Sequence, residues 1–319
     1  MMQKLASAEC ATQTASSDFL EAVLEGLSLP QKALPSRFFY DEAGSALFER
    51  ITALPEYYPT RTEIALLNSY GGGIGESVPS GATVVEFGSG SSRKTGLLLK
   101  ALRRPRAYIP IDISPSALYP AAQRIQRMFP GIDVHPVLGS FGDLGEMQLP
   151  AGAHPCIGFF PGSTIGNLTP NEAVSFLRCA RRYLGPDAHF LIGADLQKPL
   201  DILLPAYDDA QGVTAAFNRN ILARINRELG GTFNPGWFEH AAIYNEAEGR
   251  IEMHLRASKA HRVAVAGRSF AFRAGETIHT ENSYKYTVAG FQALARAGGW
   301  QPLKAWTGRA KLFSLHLLA

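Results

Sequence analysis

Two acidic residues and a pair of glycines mark the part of the chain best suited to chemistry. Thr83–Lys94 reads TVVEFGSGSSRK, a β-branched run that ends in Glu86 and breaks into Gly88-Ser89-Gly90. A second apolar run, AYIPID, brings another acid, Asp112, to the next strand end about 20 residues on. A strand, a glycine turn and a helix together present backbone N–H groups and a helix N-terminus to a nucleotide-like ligand. A carboxylate at the neighbouring strand end can accept from both hydroxyls of a ribose. A tight βα turn with no ligand would use the same glycines, so both readings stand on this stretch alone.

The loop narrows the choice of nucleotide. A dinucleotide fold asks for G-x-G-x-x-G, the third glycine permitting close helix–strand packing, and here Arg93 occupies that position. The phosphate loop G-x-x-x-x-G-K-[ST] does not occur there either. Further polar candidates lie outside this stretch. Asn167 in PGSTIGN reads as a helix cap, although Thr169 already fills that role; Tyr207 reads as a core tyrosine and Glu281 as an exposed strand charge. No metal site is expected: His254 and His279 are taken as structural or exposed, because no second ligand lies at metal spacing.

The elements that must position these residues alternate. Ala107–Ile111, Val134–Leu138, Cys156–Phe160 and His189–Ala194 read as strands after Thr83–Phe87. Amphipathic helices follow, one entered through Ser114-Pro115 and one through the capping box Thr169-Pro170-Asn171-Glu172, and Gly185-Pro186 stops the latter. Such alternation predicts an α/β fold with a parallel sheet covered on both faces. Trp300–Trp306 and Lys311–Leu318 close the chain as an antiparallel hairpin at its edge. Two stretches break the pattern. The segment 36–70 is rich in Phe and Tyr and forms either a small core of its own or a wall over a pocket. Residues 197–286 hold a helical piece, AYDDAQGVTAAFNRNILARINREL, and strand-like runs such as IEMHLRA, HRVAVA and SFAFRA, and read as an insertion.

Composition excludes several classes. The chain has 319 residues, 46% hydrophobic and 18% charged, enough for one large domain or two ordinary ones. Against 28 acids stand 31 Lys and Arg, and the resulting +3, with no basic run, argues against nucleic-acid or anionic-membrane binding. Cys10, Cys156 and Cys179 form neither a disulfide framework nor a metal motif, which favours a reducing compartment. The polar N-terminus lacks a secretory h-region and no run reaches membrane-spanning length, so a cytoplasmic protein with residues 1–17 frayed is expected.

The E-x-G-x-G loop, the distal Asp112 and the terminal hairpin resemble class I S-adenosylmethionine-dependent methyltransferases with their Rossmann-like sheet. The likeness extends from about Phe19 onward. FFYDEAGSALFERIT, LPEYYPTR, FPGSTIGNLTP, AYDDAQGVTAAFNRNIL and FEHAAIYN leading into RIEMHLRA are similar to the L-histidine Nα-methyltransferases of ergothioneine biosynthesis. That family converts histidine to its trimethylated betaine, hercynine. The resemblance implies a methyltransferase domain at 61–196 and 287–319, and an α+β substrate-binding domain at 18–60 and 197–286.

It also implies roles. Gly88 and Gly90 would lie against the methionine part of S-adenosylmethionine with Lys94 beside them, Asp112 would hold the ribose, and Gly162 would line the cofactor. Ser140 and Phe141 fall where the family shows an acid followed by an aromatic at the adenine; the serine departs from that pattern. Asn167 and Tyr207 would take the α-amino and α-carboxylate groups, with Thr164 near them and Tyr57 beside the reacting amine. Glu281, Ser283 and Tyr40 would grip the imidazole, with Asn282 adjacent and Met253 against the ring. Tyr57 and Asn167 are the catalytic candidates. No metal, nucleic acid or membrane partner is implied, and a monomer is expected. The open alternatives are another amino-acid acceptor such as tyrosine or tryptophan, a nicotinamide oxidoreductase, and a non-catalytic sensor.

Overall fold

The structure is a computed structural model and describes residues 17–90, 92–140, 144, 147–150 and 152–319. The chain divides into two compact units. The first takes the residues up to Ile51 with Tyr207–Asn245 and Ile251–Asn282; the second takes Thr52–Ala206, Glu246–Arg250 and Ser283–Ala319. The divisions expected from the sequence lie near 60/61, 196/197 and 286/287. Within the second unit, Tyr58, Lys198 and Lys285 all bond to Asp195 at the end of a sheet strand.

The second unit is built on eight strands: β1 (Thr83–Phe87), β2 (Ala107–Asp112), β3 (Asp133–Val134), β4 (Val137–Leu138), β5 (Cys156–Phe160), β6 (His189–Asp195), β7 (Pro302–Thr307) and β8 (Phe313–Leu318). They run in the order β7-β8-β6-β5-β1-β2-β3, with β4 also on β2. The pairs β2/β1, β1/β5 and β5/β6 are parallel, whereas β8 lies antiparallel to both β6 and β7. The predicted parallel sheet and antiparallel terminal hairpin are thus both present. The expected third strand, Val134–Leu138, is split into β3 and β4 around Pro136, which has no N–H to give a ladder.

Period-two alternation sends neighbouring residues of a strand into two cores. Val85, Phe87, Phe160, Phe190 and Ile192 join Phe176, Leu177, Phe291 and Trp300 under the helices Pro170–Leu184 and Val288–Ala297. Val84, Phe159, Leu191, Phe313 and Leu315 join Leu66, Leu67, Ile74 and Leu98 under the helices Tyr58–Ser77 and Arg93–Ala101. Fully burying one such side chain contributes about 1.5–3 kcal/mol. The capping box forms at Thr169 as its sequence predicts. Leu196 and Tyr286 make a lone parallel bridge, so the chain leaves the sheet and comes back to it at paired residues.

In the first unit a helix over 17–28 buries Phe19, Val23 and Leu27. A four-strand sheet runs Lys32–Ala33, Thr277–Tyr284, Arg250–Ala257, Phe238–Asn245, and His261–Val265 pairs with Arg268–Phe272 as a separate antiparallel ribbon. The N-terminal aromatics here form a core: Phe19 meets Phe38 and Phe39 meets Phe217, each at 4.6 Å between centroids. The long helix begins at Val213 rather than Ala206. Gly212, at φ 69°, breaks the backbone there, and the Asp209 carboxylate accepts from the N–H groups of Val213 and Thr214 at 3.0 and 2.7 Å. Among the described residues no helix is long and apolar enough to cross a membrane.

Candidate active site

The glycine loop sits at the C-terminal end of β1. Gly88 and Gly90 adopt φ of 78° and 42°, a region side chains rarely visit, and a Cβ built on either meets no atom of the described residues within 4 Å. The loop therefore offers bare backbone facing open space. Behind it, Glu86 is buried. Thr95 donates to both of its oxygens at 2.9 and 2.7 Å, and the Tyr108 hydroxyl donates to Oε2. Burial pushes its carboxyl up to about 8 against these donors. Glu86 thus fastens the helix Arg93–Ala101 to the strand from within.

Asp112 ends β2 beside this loop. Its Oδ1 accepts from Ser114 N–H at 2.9 Å, and its Oδ2 is held only loosely, by Gly90 N–H at 3.4 Å and Ser89 Oγ at 3.5 Å. Burial raises its carboxyl, while these N–H groups oppose the rise. An oxygen so lightly engaged has capacity left for ribose hydroxyls. Gly139 N–H donates to the Asp112 carbonyl at 3.0 Å, which brings half-buried Ser140 alongside. Phe141 lies outside the described residues.

Lys94 and Gly162 are brought together by a residue that sequence reasoning missed. Glu63, fully buried on the helix Tyr58–Ser77, accepts from Gly162 N–H at 2.9 Å and pairs with Lys94 Nζ at 2.6 Å through the same Oε2. Its Oε1 stands over Gly193 of β6, where a built Cβ would come within 2.1 Å. Its signal was a carboxylate at the apolar spacing of Leu66, Leu67 and Ile74. Past Gly162, Ser163 adopts φ 58°, and the turn Thr164–Asn167 follows, with Thr164 Oγ1 donating to the Pro161 carbonyl at 3.0 Å.

A second polar cluster surrounds Asp195, which is fully buried. Tyr58 donates to its Oδ2 at 2.7 Å, Lys198 to Oδ1 at 2.6 Å, and Lys285 Nζ lies 2.8 Å from Oδ2. Ser163 Oγ accepts from its N–H at 2.9 Å. Burial would raise this carboxyl, but the two ammonium groups outweigh it and hold it below the usual range; burial brings Lys198 down to about 8. Lys285 also donates to Ser283 Oγ at 2.7 Å, so a candidate acceptor residue is fixed by this cluster. The two tyrosines of EYYPTR part company: Tyr58 enters the cluster, whereas Tyr57 caps the start of its helix, 9% exposed.

The remaining candidates belong to the first unit. Tyr40 packs edge-on against Phe48 and Phe217 at 5.5 and 5.7 Å. Tyr207 is buried, and its carbonyl accepts from His240 Nε2 at 2.8 Å, which leaves Nδ1 to accept from Asn218 at 2.8 Å. Met253 is buried, with its carbonyl taken by Thr280 at 3.0 Å. Glu281 is half-buried. Asn282 carries a buried Oδ1 with no hydrogen-bond partner among the described residues, an acceptor waiting for a donor. Tyr57, Thr164, Asn167, Ser283 and the described cofactor candidates belong to the second unit. The structure also brings His254 and His279, expected to be structural or exposed because no second ligand lies at metal spacing along the chain, to each other and to Glu252. Adjacent strands join residues that are 25 apart in sequence, which spacing along the chain does not reveal.

Over residues 19–319 the chain matches the family described as histidine-specific methyltransferase, SAM-dependent. It is 42% identical to the histidine N-alpha-methyltransferase of Mycobacterium tuberculosis, over 93% of each chain. With the histidine N-alpha-methyltransferase of Mycolicibacterium smegmatis it shares 44% over 92% of each. It is 32% identical to ergothioneine biosynthesis protein 1 of Neurospora crassa, covering 90% of this chain and 33% of that one. Among solved structures, a possible exported protein from Bordetella parapertussis superposes with a TM-score of 0.50 at 13% identity, over 95% of this chain and 86% of that one, a likeness of fold alone.

Proposed function

The chain belongs to the histidine-specific, SAM-dependent methyltransferase family, and from that premise we propose that it trimethylates the α-amino group of L-histidine, giving hercynine and S-adenosylhomocysteine, the first step of ergothioneine biosynthesis. The observation that carries the choice of acceptor is the 42% identity, over 93% of each chain, to an enzyme named histidine N-alpha-methyltransferase. The open glycine loop and the loosely held Asp112 carboxylate support the donor.

Bound S-adenosylmethionine supplies an activated sulfonium methyl, and the protein's work is orientation and exclusion of water. Gly88 and Gly90 admit the methionine part to bare backbone. Lys94, steered by Glu63, offers an ammonium to its carboxylate, Gly162 lines the same side, and Asp112 takes the ribose diol. Ser140 and Phe141 are assigned to the adenine. For the acceptor, Asn167 and Tyr207 hold the α-amino and α-carboxylate groups, with Thr164 and Tyr57 beside the amine. Glu281, Ser283 and Tyr40 pair with the imidazole, Asn282 offers its unpartnered oxygen, and Met253 packs on the ring. A carboxylate and hydroxyls discriminate an imidazole from an apolar ring of similar size far better than an apolar wall does. Successive transfers remove N–H donors from the nitrogen. A neutral amide such as Asn167, which can turn, tolerates that loss better than a fixed carboxylate would. A monomer in the cytoplasm completes the proposal.

Incubation with S-adenosylmethionine and each free amino acid in turn, read by mass spectrometry, tests it. Gain of three methyl groups on histidine is expected. Preferred methylation of tyrosine or tryptophan, or none on histidine, overturns it.

A further inference from the structure

On the strand Arg250–Ala257, Glu252 and His254 stand two residues apart, so the pleat sends both side chains to one face. The adjoining strand Thr277–Tyr284 brings His279 beside them, and one donor atom from each of the three lies within 4.8 Å of the other two. Glu252 and His254 are 7% and 8% exposed, and His279 is half-buried. Glu252 Oε2 and His254 Nε2 are 3.0 Å apart, and the two imidazole centroids 4.8 Å. Around a tetrahedral zinc-class ion with ligand bonds of 2.0–2.1 Å, donor atoms sit roughly 3.3 Å from one another. The Glu252–His254 pair is already spaced close to that, and His279 completes the set by rotating its side chain.

The surrounding contacts orient the donors as ligands need. Asn245, on the strand at the other side, donates to Glu252 Oε1 at 2.9 Å, which leaves Oε2 turned to His254. His279 Nε2 lies 3.1 Å from the Glu281 carbonyl; when its N–H donates there, the lone pair stands on Nδ1. His254 presents Nε2 to the shared space, while its Nδ1 is buried on the other side of the ring with no hydrogen-bond partner among the described residues. Two imidazoles and one carboxylate select zinc, cobalt, nickel or copper over calcium or magnesium, which prefer oxygen alone.

We propose that Glu252, His254 and His279 bind one divalent transition-metal ion of the zinc class, pinning adjacent strands of the first unit's sheet. The proposal is independent of the methyl-transfer reading.

The test uses the full chain without an affinity tag and without histidine, which itself chelates metals. Titration with Co²⁺ should give d–d absorption of a tetrahedral ion saturating at one per chain, and Zn²⁺ should displace it. His279→Ala and the isosteric Glu252→Gln should each abolish stoichiometric binding. Asn245→Ala should weaken it about 10- to 100-fold, the usual cost of losing a supporting contact. Zn²⁺ should raise the unfolding temperature of the parent and not of His279→Ala; circular dichroism confirms that the variants are folded. Absence of saturable binding by the parent, or equal binding by parent and both ligand variants, overturns the proposal.

Discussion

Glu63 is the residue whose replacement tests the donor site most directly. The substitution Glu63→Gln keeps its shape and an oxygen able to accept from Gly162, and removes the charge paired with Lys94 at 2.6 Å. The Glu63 side chain is 0% exposed and that of Lys94 18% exposed. Removing one partner of a buried pair costs about 3–5 kcal/mol, and the partial exposure of Lys94 places this case near about 3. For a domain of about 150–250 residues, 1 kcal/mol moves the unfolding temperature by about 2–4 °C, so a drop of roughly 6–12 °C is expected. Lys94 Nζ also loses its charged anchor, while Gly162 N–H keeps an acceptor. The Kd for S-adenosylmethionine should therefore rise at least about tenfold, equivalent to about 1.4 kcal/mol. Denaturant unfolding and calorimetric titration of Glu63→Gln, Lys94→Met and the double variant measure both effects. A coupling energy of about 2 kcal/mol between the two sites is expected, within the range for residues in contact. Gly193→Ala, whose Cβ would strike Glu63 Oε1 at 2.1 Å, should reproduce the loss of affinity. If Glu63→Gln stays within about 1 kcal/mol of the parent and the single effects simply add, the carboxylate does not organise the loop.

Glu281→Ala should weaken histidine binding at least tenfold while leaving the Kd for S-adenosylmethionine nearly unchanged, both read by calorimetry; loss of donor affinity instead would put Glu281 in the wrong site. His316 is buried and its imidazole depressed to about 4 by burial, so the unfolded chain takes up a proton first as pH falls below about 6.5. About 3 kcal/mol of stability should vanish between pH 6.5 and 4 in the parent and not in His316→Gln, measured by urea unfolding. Glu86 has the opposite sign. Its carboxyl, raised to about 8, keeps its proton in the folded state while the unfolded chain releases it from about 4.5 upward. Its contribution is therefore full in acid and lost as pH rises through 8. Glu86→Gln should gain roughly 4–5 kcal/mol on the parent between pH 4.5 and 9, and parallel pH profiles would refute this.

The parts of the molecule that were legible in its sequence are those written locally. The glycine turn after Thr83–Phe87, the box at Thr169, and the terminal hairpin each declare themselves within a short continuous stretch, through backbone freedom, capping chemistry and alternation. The residues that were missed work at long range. Glu63 meets Gly162 from 99 positions away, and Tyr58 meets Asp195 from 137. Tyr58 differs from Tyr57 only by which way a helix start turns it. Glu86 looked like part of a ligand site because it ends a strand before glycines; its inward turn depends on Thr95 and Tyr108, which no spacing rule links to it. The split of the third strand followed from Pro136, a signal that was present and outweighed by the apolar residues on either side.

The bridge between Leu196 and Tyr286 bears on how such a chain changes over generations. The excursion between them starts and finishes at paired backbone, and near its two ends Lys198 and Lys285 are tied to Asp195, so the stretch between those ties is held to the sheet's strand end as a closed loop. Closure entropy grows only logarithmically with loop length, about 0.6 kcal/mol per doubling, so lengthening or rebuilding the excursion hardly taxes the sheet. Tyr207, Met253, Glu281 and Ser283 all lie inside it, while Gly88, Gly90, Lys94 and Asp112 lie outside. Selection can thus rewrite most of the proposed acceptor contacts as a cassette and inherit the donor machinery intact.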